Sequence, residues 1–332
     1  MYDIFFLGDF LSDNGPGVAN KGFLTGFNEL GQRINYTKIN KIGIPRILEG
    51  INGILTAKCI CFCYNSKIAI LLLPICKLLR RKICYLIHGY GEYESRLNHE
   101  SEEVITQIIR NEKRLYEEAD IIICVSKFFC EFMKEHEPKY ESKFRYFYNA
   151  IDISNLKEFH GSRKNTIISL GGGLGRKNNV AVCKAIDELN KEGYGLKYTV
   201  VGSRGTDYED IVKYEFVDYI DSLDHDAVLS LMRQSQLYIQ NSLFESFGLA
   251  PIEALYSGCS LIITCYQGIK DLFKYRHEQF CVSNPDDICQ IKNMIKKVLA
   301  HENNTALLKS FDKEIVTPKN AAKNLYSVIM QA

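Results

Sequence analysis

Two glutamates, Glu245 and Glu253, stand eight positions apart around the turn Phe247-Gly248-Leu249 and the proline Pro251. Proline needs no amide partner in the first turn of a helix, so the spacing predicts a helix beginning close to Gly248. Glu245 then falls in the loop just before the helix and Glu253 inside its first turns, with both carboxylates facing one space. That space adjoins a helix N-terminus, where backbone N–H groups and the helix dipole attract a phosphate. Carboxylates accept hydrogen bonds from hydroxyls, so acids flanking an anion site suit a phosphorylated sugar. The same residues also read as a capped helix with one paired and one surface acid, and the acids alone do not separate the two readings.

A second group lies upstream. The run Gly171-Gly172-Gly173-Leu174-Gly175-Arg176-Lys177-Asn178 follows a strand-like segment, Thr166 to Leu170, and precedes a helix from about Val180. Two cations after a glycine-rich loop at a strand end are well placed for a diphosphate, the alternative being a solvated loop. The glycine spacing is irregular. The next strand, Tyr198 to Val201, ends at Gly202 without the acidic ribose ligand of a dinucleotide fingerprint, which argues against a nicotinamide or flavin enzyme. His88 closes Tyr85-Leu86-Ile87-His88-Gly89 at a strand terminus, where structural and functional roles both stand. Asp224-His225-Asp226 could hold a divalent ion, but its place just before a helix favours N-capping. Cys59, Cys61 and Cys63 alternate on one face of a strand and read as small core residues, since no histidine or turn completes a tetrahedron.

The elements that position these residues form two series of alternating strands and helices. Strand candidates run Tyr2–Leu7, Lys58–Cys63, Ile83–His88, Ile121–Val125 and Phe144–Tyr148, with helical patterns at Val18–Leu30 and Glu102–Glu118. Gly15-Pro16-Gly17 lies in the loop between the first strand and its helix. Alternation of this kind implies parallel sheets with helices on both faces, and ligands beyond the carboxyl ends of the strands. The 332 residues suggest two domains of about 150 residues, with the polar stretch Glu158–Lys164 as linker. A second series, ending in helices, runs through Val217–Ile220, Tyr238–Gln240 and Leu261–Thr264.

Composition narrows the classes. The formal net charge of +1 argues against bulk nucleic-acid binding, so recognition is expected in a pocket. Twelve cysteines scattered through apolar segments, with no signal peptide, fit a reducing cytoplasm. Lys67–Lys82 joins an apolar run to Lys77, Arg80, Arg81 and Lys82. It is too short to span a bilayer, which takes about 20 apolar residues. A basic amphipathic helix at an anionic membrane surface and a core helix with a solvated basic end remain equal readings.

Taken together, Phe244-Glu245-Ser246-Phe247-Gly248-Leu249, Pro251, Glu253-Ala254-Leu255 and Gly258 resemble the acid motif of the family-four retaining glycosyltransferases. The likeness extends to the Gly-Pro-Gly loop, His88, Ala119-Asp120, Val125-Ser126, Asn149, Ile151-Asp152, Arg176-Lys177-Asn178, Val201-Gly202 and Gly268. It departs at Asn241, at the asparagine after Lys177 and at the glycine after His88. The resemblance implies an α/β GT-B fold: two Rossmann-like, doubly wound domains facing across a cleft. Residues 1–158 would take the acceptor and 159–316 the nucleotide-sugar donor, with a helix in 317–332 crossing back to the first domain.

The resemblance also implies roles. Glu253 would accept from the ribose hydroxyls, Glu245 would contact the transferred sugar, and the amides of Phe247, Gly248 and Leu249 would lie nearby, with Gly202 also on the donor side. Arg176 and Lys177 would neutralise the diphosphate, helped by the amide of Gly17, and His88 would face the donor sugar. The family's front-face mechanism asks for no metal, no cofactor beyond the donor itself and no protein nucleophile. The partners implied are a nucleotide sugar and a glycan or lipid-linked acceptor, with peripheral contact at the inner membrane surface and no nucleic acid. A GT-B sugar-nucleotide epimerase and a non-catalytic nucleotide-sugar-binding subunit are the competing functions.

Overall fold

Parallel strands buried on both faces need near-continuous apolar runs, and the first strand, β1 (Tyr2–Leu7), has one: after Tyr2 every residue is buried. The computed structural model describes residues 1–12, 15–39, 43–64, 67–153, 156 and 165–331. Two units emerge, the first made of Met1–Tyr93, Ser101–Asp152 and the chain from Lys313 onward, the second of Glu94–Glu100 and Ile153–Asp312. The expected linker Glu158–Lys164 lies outside the described residues.

In the first unit the order is β1, α1 (Gly15–Glu29), β2 (Ile34–Tyr36), α2 (Ile44–Thr56), β3 (Ala57–Phe62), α3 (Lys67–Leu78), β4 (Lys82–Ile87), α4 (Gly91–Leu97), α5 (Glu102–Glu118), β5 (Ile121–Cys124), α6 (Lys127–His136) and β6 (Phe144–Tyr146). The last four residues of α4, Glu94 to Leu97, and the turn through Glu100 group with the second unit. The sheet is wholly parallel, ordered β2-β1-β3-β4-β5-β6, so the winding reverses between β1 and β3. Cys59, Cys61 and Cys63 are buried, and the Cys59 and Cys84 sulfurs lie 3.3 Å apart between β3 and β4, so these cysteines are core packing. Gly15-Pro16-Gly17 does not form a loop. It makes the first turn of α1, because proline in that turn forfeits no helical hydrogen bond, and Gly17 is buried there.

The second unit runs β7 (Thr166–Leu170), α7 (Asn179–Lys191), β8 (Lys197–Val201), α8 (Tyr208–Val212), β9 (Val217–Ile220), α9 (His225–Arg233), β10 (Leu237–Gln240), α10 (Ala250–Tyr256), β11 (Ser260–Thr264), β12 (Cys281–Val282), α11 (Ile288–Ala300) and α12 (Asn304–Ser310). Its six strands are parallel in the order β12-β11-β10-β7-β8-β9. Ile167, Val200, Ile239 and Ile262 on the sheet, with Val182, Ile186, Ile291 and Ile295 on α7 and α11, build its core. The winding reverses between β7 and β10, whose backbones pair at Leu237 with Ile167 and Tyr238 with Ile168. Doubly wound sheets bind ligands in the crevice outside that reversal. Here the loops leaving it are the glycine-rich loop and the segment carrying Glu245.

After α13 (Lys313–Val316), the helix α14 (Pro318–Gln331) packs on α1 of the first unit. Gly26 permits the contact, since a Cβ there would stand 1.9 Å from the Pro318 carbonyl oxygen.

Candidate functional site

The glycine-rich loop is shaped by backbone contact before any side chain acts. Gly172 has φ +58 and Gly202 has φ +142, and a Cβ on Gly172 would come within 2.3 Å of the Ser203 carbonyl oxygen. Only glycine fits where the loops after β7 and β8 touch. Gly202, expected on the donor side, therefore has a packing reason for being glycine.

Past this contact, a single 3₁₀ turn, Gly175–Lys177, aims two cations at Glu245. Lys177 Nζ lies 2.5 Å and Arg176 Nη1 3.2 Å from the same carboxylate oxygen, Oε2. Arg176 Nε also stands 3.6 Å from Glu94, and its backbone amide donates to Asn98 Oδ1. Two main-chain bonds fix the pairing: the Leu243 amide donates to the Arg176 carbonyl, and the Glu245 amide to the Tyr266 carbonyl. Below the carboxylate, Gln240 Nε2 donates to Gln267 Oε1 at 2.9 Å and approaches Glu245 Oε2 at 3.4 Å, while Tyr238 donates to Gln240 Oε1.

Electrostatics follow from this geometry. Burial would push the Glu245 carboxyl up, yet the Lys177 and Arg176 charges and their hydrogen bonds hold it at about 2. Burial pulls the Lys177 ammonium down, and Glu245 offsets only part of that. Burial acts on Arg176 the same way but is overcome by Glu245 and Glu94, so its guanidinium is held more firmly charged. Two cations and two carboxylates, Glu94 and Glu245, thus share a small, largely buried space.

Glu253 is held differently. Helix α10 begins at Ala250, two residues later than the sequence predicts, because Gly248 sits at φ +98, outside helical space. Pro251 and Glu253 both fall in its first turn. Glu253 Oε1 lies 3.0 Å from His225 Nε2 at the start of α9. Asp224 caps α9 by accepting from the Ala227 amide, which settles Asp224-His225-Asp226 as a cap. No group of three metal-ligating side chains occurs among the described residues. Phe247 is buried, and its carbonyl accepts from the Ile269 amide. With seven residues α10 has little dipole, so the charge available to an anion resides in Arg176 and Lys177.

In the first unit His88 follows β4 directly and its Nε2 lies 2.9 Å from Asn20 Oδ1 on α1. Burial lowers the imidazole to about 4, so it is neutral at pH 7. Since the amide oxygen only accepts, Nε2 carries the hydrogen. Gly17 occupies the first turn of the same helix.

Sequence reasoning missed Glu94, Gln240 and Gln267 as site residues, and it placed His225 in a capping motif without its pairing to Glu253. Glu94 and Gln267 reach the site from other loops and His225 from 28 positions before Glu253, whereas Gln240 stands only five positions before Glu245 at the end of β10; no local spacing pattern marks such partners.

Two doubly wound parallel sheets of six strands, one bearing this site, define a GT-B fold. The chain superposes on HepE from Anabaena, solved with UDP and glucose, with a TM-score of 0.71, 14% identity and 100% of each chain covered. Sucrose-phosphate synthase from Thermosynechococcus elongatus gives 0.69 at 14% identity, covering 100% of this chain and 97% of that one. Residues 152–314 match the family described as glycosyl transferases group 1. A curated relative, the GtfA subunit of a UDP-N-acetylglucosamine–peptide N-acetylglucosaminyltransferase from Streptococcus pneumoniae, is 30% identical over 114 residues, which is 33% of this chain and 23% of the relative.

Proposed function

We propose that the chain transfers a hexose from a nucleoside-diphosphate sugar to a glycan or lipid-linked acceptor, with retention at the anomeric carbon, in the cytoplasmic synthesis of a surface polysaccharide. The observation that carries this reading is the convergence of Arg176 and Lys177 on one oxygen of Glu245 at the sheet's reversal point. These cations already stabilise an oxyanion, and a diphosphate offers them a larger one. Cleaving the anomeric bond builds positive charge on the sugar and negative charge on the phosphate oxygen. Cations fixed beside that oxygen interact more strongly with the transition state than with the bound donor, and so lower the barrier.

A carboxylate held at about 2 is a weak proton acceptor at neutral pH, which favours Glu245 as a ligand for hydroxyls of the transferred sugar over a general base. In the front-face displacement we infer, the departing phosphate oxygen takes the acceptor's proton as the acceptor attacks from the same side. Glu253 accepts from the nucleotide ribose, with Phe247, Gly248, Leu249 and Gly202 forming the donor loops. His88, neutral and with its Nε2 hydrogen given to Asn20, is assigned to the donor sugar, and the Gly17 amide to the diphosphate. UDP-hexoses are the first donors to test, since HepE was solved with UDP and glucose. Incubation with UDP-, GDP- and dTDP-hexoses should release nucleotide and free or transferred sugar of unchanged anomeric configuration by NMR. Absence of turnover with all of them, together with nucleotide binding that Glu253→Ala leaves intact, would remove the proposal.

We further infer peripheral contact with an anionic bilayer. Helices α2 and α3 pack together in the first unit and leave Ile44 72%, Leu48 59% and Leu78 82% exposed, with Leu55 and Leu71 also exposed and Arg80, two residues after Leu78, exposed as well. α3 carries no acidic residue. No described helix is long and apolar enough to cross a membrane, so the contact would be interfacial. Vesicles containing phosphatidylglycerol should sediment the protein, and Leu48→Ser with Leu78→Ser should release it. Equal sedimentation of parent and variant, or leucine-dependent self-association in place of vesicle binding, would refute it. All twelve cysteines carry free thiols, in keeping with a reducing compartment.

A further inference from the structure

Glu253 has three rotatable side-chain bonds, and a carboxylate that must meet two ribose hydroxyls binds better if it is held before the ligand arrives. Among the described residues the group that holds it is the His225 imidazole, 3.0 Å from Oε1. A carboxylate cannot donate, so Nε2 carries the hydrogen and Oε1 accepts. His225 is the first residue of α9, placed by the Asp224 cap, and α9 packs on α10 where Glu253 resides. The imidazole is thus presented to Glu253 from a capped helix start, and the contact lies wholly within the second unit.

We propose that His225 is a positioning residue for the donor, gripping Glu253 Oε1 so that the carboxylate's remaining lone pairs meet the vicinal hydroxyls of the nucleotide ribose. The inference rests on the reading of Glu253 as the ribose ligand. His225 touches neither the sugar nor the diphosphate in this account, so it acts on donor affinity and not on bond cleavage. The imidazole ring is largely exposed while the Glu253 carboxylate is mostly buried, as expected for a group that steadies a ligand-facing acid from its solvent side.

The experiment is calorimetric titration of UDP and of 2′,3′-dideoxy-UDP into the parent, His225→Ala, His225→Gln and Glu253→Ala, with donor KM and kcat measured in parallel. A charge-assisted bond of this kind predicts UDP binding about tenfold weaker in His225→Ala. Donor KM should rise by a similar factor with kcat unchanged. Binding of dideoxy-UDP, which lacks the hydroxyls, should be the same in the parent and in His225→Ala. His225→Gln, whose amide can donate to Oε1, should recover most of the loss. The inference is overturned if His225→Ala binds UDP as the parent does, or if it weakens UDP and dideoxy-UDP equally. If Glu253→Ala itself binds UDP like the parent, the ribose reading fails and His225 falls with it; a loss in Glu253→Ala with none in His225→Ala defeats the His225 role alone.

Discussion

Lys177 Nζ lies 2.5 Å from Glu245 Oε2, the oxygen that also accepts from Arg176, so one carboxylate oxygen stands where a donor's phosphate oxygen is expected to bind. The three charges form a single unit. Whatever anion enters must share or displace the Glu245 carboxylate.

Replacing Glu245 by alanine leaves two largely buried cations without their main partner. Breaking a fully buried pair in this way costs roughly 3–5 kcal/mol, and partial solvent access lowers that figure here. The variant should melt below the parent, and UDP should raise its melting temperature by more than it raises the parent's, since the diphosphate replaces the missing anion. Thermal denaturation with and without UDP checks both statements.

Acid should weaken the fold through the same group. The Glu245 carboxyl titrates at about 2 in the folded chain against 4.5 for an ordinary glutamate. Its contribution is complete above the unfolded value and is lost as pH falls from 4.5 toward 2. Urea melts of parent and Glu245→Gln between neutral pH and the acid limit should therefore converge in that window, the parent losing the larger share.

His88 gives a second window with the same direction of change. Its folded value is about 4 against 6.5 for a free imidazole, so below 6.5 the unfolded chain takes up a proton that the folded one refuses. Stability should fall as pH drops from 6.5 to 4, with a slope of about one proton, and His88→Asn should remove that slope. Urea midpoints across the interval measure it.

Gly202→Ala should destabilise the second unit by at least about 2 kcal/mol, because φ +142 strains any side chain and the new Cβ would stand 2.5 Å from the Gly172 amide nitrogen. The same substitution displaces the glycine-rich loop. Urea denaturation should show the loss, and donor affinity should fall with it.

Local pattern made the strand–loop–helix units legible: the glycine-rich loop with Arg176 and Lys177, and the acid segment before α10, were each readable from a strand run, glycines and a helix start. Two boundaries moved for local steric reasons, Gly15-Pro16-Gly17 into the first turn of α1 and the start of α10 to Ala250. Strands β2 and β12, three and two residues long, carry too little periodicity to be recognised. Helix α2 escaped because two glycines, Gly50 and Gly53, interrupt its face where it lies against Leu72 and Phe5. The pairings Glu245 with Lys177 and Glu253 with His225 join residues 68 and 28 positions apart, and only sheet order decides which distant loops meet.

The central claim is that Arg176 and Lys177 bind the donor's diphosphate. Isothermal titration of UDP into the parent and into an Arg176→Met, Lys177→Met variant tests it most directly. The account predicts binding to the parent and a loss of about a hundredfold or more in the variant, each charge-assisted contact removed costing roughly tenfold. Equal affinity in the two proteins, with the variant still folded, would contradict it.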